Sequence, residues 1–304
     1  MIFDCVIIGG GIAGLQAAIQ LGRYDHKILV IDKGGGRSEL CQEYHNLLGW
    51  PDGVSGEYFR TIGRKQAEQY GVEFILDEVK DVVKSPDGFQ AITDSSAFCG
   101  KRMLIATGIE DRLPPIDRIK PCLGKSIFLC PDCDGYEIKN KKTVVIGSGN
   151  KGAGMAAVLT YWSKDILFIN HDKTDIDDKH KHVLKKHNIP IYNEKVSDIQ
   201  VVNESSLQSV QLENGKKVEV KHAFLAMSGS KVNTTLTKSL GVERLENHHI
   251  NVNPRTKETN IPHVFAVGDA TAHSQLLSIA MGDGAQAAIW IHKSLLSERG
   301  KHTP

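Results

Sequence analysis

The apolar pattern of this 304-residue chain opens with a run over residues 3–8 that is broken only by Asp4. A near-continuous run of this length, rather than an alternating one, predicts a strand buried on both faces. A glycine turn follows, Gly9-Gly10-Gly11-Ile12-Ala13-Gly14, then an alanine- and leucine-rich segment through Leu21. A second apolar run over residues 28–31 closes on Asp32, so the order is strand, glycine turn, helix, strand. The same order returns further along the chain. Residues 144–146 predict the strand, Gly147-Ser148-Gly149-Asn150-Lys151-Gly152 the turn, residues 153–162 the helix and residues 166–169 the next strand, closed by Asn170. The interval from first glycine to strand end is 23 residues in both copies, Gly9 to Asp32 and Gly147 to Asn170. Near the C-terminus residues 263–267 predict a strand ending in Gly268-Asp269, with a helix over residues 276–295.

A turn of this kind needs small residues so that the backbone can approach a pyrophosphate, whose charge rests on the N-terminus of the following helix. A carboxylate at the strand end, as at Asp32, can accept hydrogen bonds from a ribose. The pattern predicts an α/β protein of two Rossmann-like, three-layer dinucleotide-binding domains built on one plan. Proline-marked residues 113–121 and the polar stretch 243–249 read as the connections. The expected division is a discontinuous first domain, residues 1–116 and 248–304, with residues 117–247 inserted into it.

Composition narrows the field. Lys and Arg total 37 against 36 Asp and Glu, with no basic run, which argues against nucleic acid as a partner. No apolar stretch approaches the ~18 residues of a membrane span. The N-terminus lacks the positive start of a signal peptide, so the cytosol is the expected location. Six cysteines are too sparse for a disulfide scaffold, and in a reducing compartment a close pair is a catalytic or metal-binding feature.

That pair is Cys130-Pro131-Asp132-Cys133, followed by Asp134-Gly135, directly before the second nucleotide turn. Two intervening residues let the sulfurs bond or separate with little backbone change, and such motifs lower the thiol pKa. A structural zinc site would need a second pair. Cys99 and Cys122 lack metal-site spacing, so no metal is expected. Cys5 and Cys99 read as buried small residues, and Cys41 as a loop cysteine after Gly34-Gly35-Gly36, although that loop could also approach a cofactor. The histidines among residues 179–187 read as one face of a solvated helix.

With these elements in order, the chain resembles the low-molecular-weight thioredoxin reductases among the pyridine nucleotide–disulfide oxidoreductases. The resemblance rests on the turn at Gly9–Gly14, Ile105-Ala106-Thr107-Gly108, the Cys130–Gly135 motif, the second turn at Gly147, and Gly268-Asp269. It implies FAD in the first domain and a nicotinamide nucleotide, NADPH or NADH, in the second. Carried over by position, Gly9, Gly11, Ile12, Ala13 and Gly14 would hold the FAD pyrophosphate, and Asp32 with Lys33 its adenosine end. Asn46, Val79, Thr107, Gly108, Gly268, Asp269, Gln275 and Leu276 would complete the flavin site. Ser274 stands where the family commonly has an arginine. The nicotinamide set would be Gly147, Gly149, Asn150, Lys151, Asn170 and His171. Cys133 would exchange electrons with the flavin, Cys130 would attack the external disulfide, and Asp134 would be the acid–base carboxylate. A thioredoxin-like protein or a small-molecule disulfide or dithiol is the implied partner, and a homodimer the implied assembly.

The nicotinamide end departs from the family. NADPH-using members carry His-Arg-Arg where this chain has Asn170-His171-Asp172, and a further arginine falls near Ile176 among Asp175, Asp177 and Asp178. Carboxylates beside a 2′-phosphate repel it, whereas arginine pairs with it. The acid pair often found after the turn is also missing from Gly154-Met155-Ala156. Two enzymatic readings therefore stand: an NAD(P)H-driven disulfide reductase, and a nicotinamide-independent enzyme, either a dithiol oxidase using oxygen or a ferredoxin-linked reductase. Asp134, where dithiol-oxidising relatives tend to have histidine, points to the reductase. A flavin-binding redox sensor is the non-catalytic alternative, against which Asp134 also argues.

Overall fold

The computed structural model describes residues 1–272, 274–298 and 300. The chain packs as two units: residues 1–39, 57–110 and 231–304, and residues 40–56 and 111–230. The second crossing lies earlier than the expected 247/248, for a physical reason. Strand Lys231–Val232 pairs antiparallel with Ile109–Glu110, and Leu236, Leu240 and Val242 pack into the same core as Val82 and Phe89, all in the first unit.

The first unit is a seven-stranded sheet. Strand Ile2–Ile8 lies between Ile28–Asp32 and Ala97–Ile105, parallel to both, with Ile8 opposite Ile31 and Ile105. Both faces of the first strand are covered, as its unbroken apolar run predicts. Cys5 and Ile7 pack with the helices Ile12–Arg23 and Leu277–Glu298 through Ala17, Ala18, Leu21 and Ile291. Phe3, Val6 and Ile8 face the other way, toward Val82, Phe89 and Leu236. The long strand Ala97–Ile105 is shared: its first half pairs antiparallel with Gly88–Ile92, and Met103–Ile105 pairs with Val264–Ala266. The C-terminal helix runs Leu277–Glu298, a residue later at its start and three later at its end than the pattern predicts.

The second unit holds a five-stranded parallel sheet in the order Ile191–Tyr192, Ile166–Asn170, Thr143–Gly147, His222–Ala226, Ile127–Phe128. The helix Gly149–Leu159 covers one face through Ala153, Ala156 and Leu159 against Val145, Phe168 and Phe224. Across the sheet, the antiparallel strands Val196–Val202, Ser206–Leu212 and Lys217–Glu219 pack Ile199 and Val210 onto Val144, Ile146 and Leu225. The helix begins earlier than the expected residue 153, because the glycine turn itself winds into its first turn. The histidine-rich segment is the helix Asp178–Lys186, capped by the Asp177 carboxylate and anchored by buried Leu184. Among the described residues no helix is long and apolar enough to cross a membrane.

Candidate active site

In the first unit, the turn between Ile2–Ile8 and Ile12–Arg23 has the form a pyrophosphate needs. Gly9 sits at φ +105°, a conformation other residues rarely adopt, and its N–H donates to Ile31 O at 2.8 Å. Gly11 caps the helix without any side-chain cap, and a Cβ built on it would meet nothing within 4 Å. The helix start therefore faces open space, which suits a phosphate. Asp32 stands at the end of its strand beside this turn, within 2.9 Å of the position a Gly10 Cβ would take. These observations fit the adenosine diphosphate half of FAD.

Two arginines that the sequence did not single out organise this site. Arg60, on the helix Gly56–Glu68, donates to the Asp32 carboxylate at 2.6 Å and to Gly10 O at 3.1 Å, and pairs with Glu39 at 2.8 Å. Arg37 donates to Asp269 Oδ2 at 2.8 Å and Gln275 Oε1 at 2.7 Å. A guanidinium thus reaches Gln275 although position 274 is serine; its donor lies 238 residues away in sequence. Only the serine at that position signalled that an arginine must come from elsewhere. Gly268 N–H donates to Asp283 Oδ2 at 3.2 Å, and Asp283 is itself paired with Lys257 at 2.8 Å. Thr107 and Gly108 are tied to Asn233 by Thr107 Oγ1 donating to Asn233 O at 2.6 Å and Asn233 N–H donating to Gly108 O at 3.0 Å. Val79 is buried, Leu276 half-buried and Lys33 exposed, with its ammonium on Glu78 at 3.3 Å. Asn46 falls in residues 40–56 and packs with the second unit.

In the second unit, Cys130 and Cys133 form a disulfide with Cα atoms 5.3 Å apart. Pro131 opens the single helical turn Pro131–Asp134, where its fixed φ suits the first position. Cys130 caps that turn, and its sulfur accepts the Cys133 N–H at 3.2 Å. A thiolate released at Cys130 would keep this donor, which favours its ionised form. Burial, with the Glu137 carboxylate adding to it, pushes the Asp134 carboxyl up to about 7. A group poised at that value gives and takes protons readily near neutral pH. The remaining thiols differ from this pair. Burial holds Cys5 far above the ordinary thiol range and pushes Cys41 up to about 12, so both stay protonated. Cys99 is half-buried, not buried as expected, because it lies where the edge hairpin meets the sheet and takes a contact from Gln90 Nε2 at 3.7 Å.

The second glycine turn is also in this unit, and each residue expected to hold a nicotinamide nucleotide there meets other parts of the chain. Gly149 N–H donates to Asn170 Oδ1 at 2.9 Å, and Asn170 Nδ2 donates to Thr174 O and Asn193 Oδ1. Asn150 pairs with Asp177, Lys151 Nζ donates to Met227 O at 2.8 Å, and buried His171 accepts the Val196 N–H at 3.1 Å. Gly147 is buried at the strand end, in register with Ala226 and Asn170.

Comparison with known proteins shows the family of the chain. The family model described as pyridine nucleotide-disulphide oxidoreductase matches residues 3–284. A thioredoxin reductase from Aquifex aeolicus is 28% identical, over 98% of this chain and 95% of that protein. One from Treponema pallidum is 27% identical, over 94% of this chain and 95% of that protein. The crystal structure of HlmI superposes with a TM-score of 0.85 at 28% identity, covering 98% of this chain and 94% of that one.

Proposed function

The chain belongs to the pyridine nucleotide-disulphide oxidoreductase family, and on that premise we propose that it passes electron pairs between FAD and the Cys130–Cys133 disulfide, and between that pair and a thioredoxin-type protein disulfide. Its class is that of an FAD-dependent disulfide oxidoreductase, and thioredoxin reductases of this family bind FAD and NADPH. When bound, FAD supplies or removes the two electrons that open or close the Cys130–Cys133 bond. Gly9, Gly11 and Gly14 would hold its pyrophosphate, Asp32 its ribose, and Asp269 and Gln275, oriented by Arg37, its flavin-side half.

The chain's own residues then carry the exchange. With the pair reduced, the Cys130 thiolate, favoured by the Cys133 N–H, attacks one sulfur of the partner disulfide. One S–S bond forms and one breaks, and the partner's departing thiolate takes the proton of Asp134. Cys133 then attacks Cys130, re-forms the internal disulfide and releases the second partner thiol. Two electrons have moved to the partner and two protons follow them. The observation that carries this reading is the disulfide directly preceding a carboxyl held near neutrality. In Cys133→Ser the resolving thiol is gone, so a thioredoxin with its own second cysteine removed and its first held as a disulfide with thionitrobenzoate should become linked to Cys130, with thionitrobenzoate as the departing thiolate. Cys130→Ser should trap nothing while keeping its flavin. Trapping on Cys133 instead, or full exchange activity in Cys130→Ser, would overturn the assignment of the two sulfurs.

A further inference from the structure

The two glycine turns provide an internal comparison, since they share one plan and one spacing. The second glycine of such a turn is the one over which the pyrophosphate lies. At Gly11 that space is open, with nothing within 4 Å of a built Cβ. At Gly149 it is filled: a Cβ there would lie 2.6 Å from both Asp175 O and Thr174 Oγ1.

The filling segment is fastened at several points. Asn170, 2% exposed, spends its carbonyl on the Gly149 N–H that a phosphate would use, and its amide on Thr174 O at 2.7 Å. Ser148 Oγ donates to Asp172 Oδ2 at 2.5 Å, and Arg112 grips the same carboxylate with two nitrogens at 2.6 and 3.0 Å. Arg112 also donates to Ser228 O at 3.2 Å, and Ser228 N–H donates to Ser148 Oγ at 3.0 Å, closing a ring around the turn. Asp177, beyond the loop, holds Asn150 by both its N–H and its carboxylate. Arg112 and Ser148 also keep the Asp172 carboxyl below its usual range, so it stays ionised and held by both of them beside the turn.

We propose that residues 172–175 plug the second nucleotide turn, so that the inserted unit binds neither NADPH nor NADH and the electrons exchanged at Cys130–Cys133 do not originate in a nicotinamide. The plug stands on the second unit's geometry alone. Only the statement about electrons rests on the function proposed above.

The test uses the full-length, FAD-loaded protein. NADPH and NADH are titrated separately by calorimetry, and each is mixed anaerobically with the protein while the flavin absorbance is followed. No saturable binding below ~1 mM and no bleaching by either nucleotide is expected, whereas excess dithiothreitol bleaches the flavin through Cys130–Cys133. Micromolar binding of either nucleotide, or bleaching by it, would overturn the proposal. If both nucleotides are silent and dithiothreitol also fails to bleach, the plug stands and the disulfide function falls, so the two ideas fail separately. Asp172→Ala, which releases Ser148 and Arg112, should bind a nucleotide at least ~10-fold more tightly than the parent; a folded variant that gains nothing would show that the segment is not the barrier. Should Asp172→Ala lose its flavin or its fold, Asp172→Asn removes the charge in a side chain of the same size and is read in the same way.

Discussion

Asp134 offers the sharpest quantitative test of the proposed chemistry. Its carboxyl moves from 3.8 to about 7 on folding, a change of about 3 pKa units or roughly 4 kcal/mol against the ionised form. At pH 7 the protonated share rises from about 1 in 1,500 to about half, so acid and base forms are both abundant. When an external dithiol attacks the Cys130–Cys133 disulfide, the carboxylate is the form that accepts the incoming proton. The rate of flavin bleaching by a dithiol, followed anaerobically by stopped flow, should therefore rise with pH through an inflection near 7. The Asp134→Asn variant should lose that inflection, keep only the dithiol's own ionisation, and run ~10²–10⁴-fold slower. The same shift has a thermodynamic side of opposite slope. Between pH 3.8 and about 7 the folded state holds a proton that the unfolded state has released, so stability falls as pH rises across that window and levels off above it. Urea unfolding across the window should show this loss in the parent and not in Asp134→Asn. An inflection near 7 that survives the substitution, or one absent from the parent, would refute the general acid–base role.

Three further expectations follow from the glycine turns and from Arg37. Gly11→Val should fold normally, since its Cβ meets open space, yet purify without flavin; Gly149→Ala should instead lower the thermal midpoint, because φ +43° and contacts at 2.6 Å oppose any side chain. A Gly11→Val protein that retains FAD would remove this turn from the cofactor site. Arg37→Met strips the guanidinium from Asp269 and Gln275, and hydrogen bonds to charged groups worth about 1.5–3 kcal/mol predict ~10–100-fold weaker FAD affinity, read by the fluorescence of released flavin. Unchanged affinity would mean that Arg37 does not orient the site.

What could be read from the chain in advance was whatever depends on local order. Both glycine turns, their flanking strands and the Cys130–Cys133 pair are contiguous patterns that spacing shows, and Asp134 was singled out through the family resemblance. The arginines were not, because Arg37 meets Gln275, Arg60 meets Asp32 and Arg112 meets Asp172 only after distant segments fold together. For the same reason the fate of Asn170 was hidden. Its identity announced a missing ribose acid, but only the fold reveals that its side-chain carbonyl accepts the Gly149 N–H. The crossing near residue 230 was misjudged because polar residues 243–249 look like a linker, whereas the short strand Lys231–Val232 had already returned the chain to the first unit. Lys151, expected among the nicotinamide-binding residues, donates its ammonium to the Met227 carbonyl, a partner 76 residues away.

The shared strand Ala97–Ile105 has a consequence for how the protein is made. Its Met103–Ile105 edge must wait for Val264–Ala266, which begins 159 residues after Ile105 (264 − 105). At ribosomal speeds of ~5–20 residues per second, the nascent first unit exposes that strand for roughly 8–30 s while residues 111–230 of the second unit are synthesised. An apolar edge left open that long is a template for pairing with another chain. A chain truncated before residue 264 should therefore aggregate through the first unit, however well the second one folds.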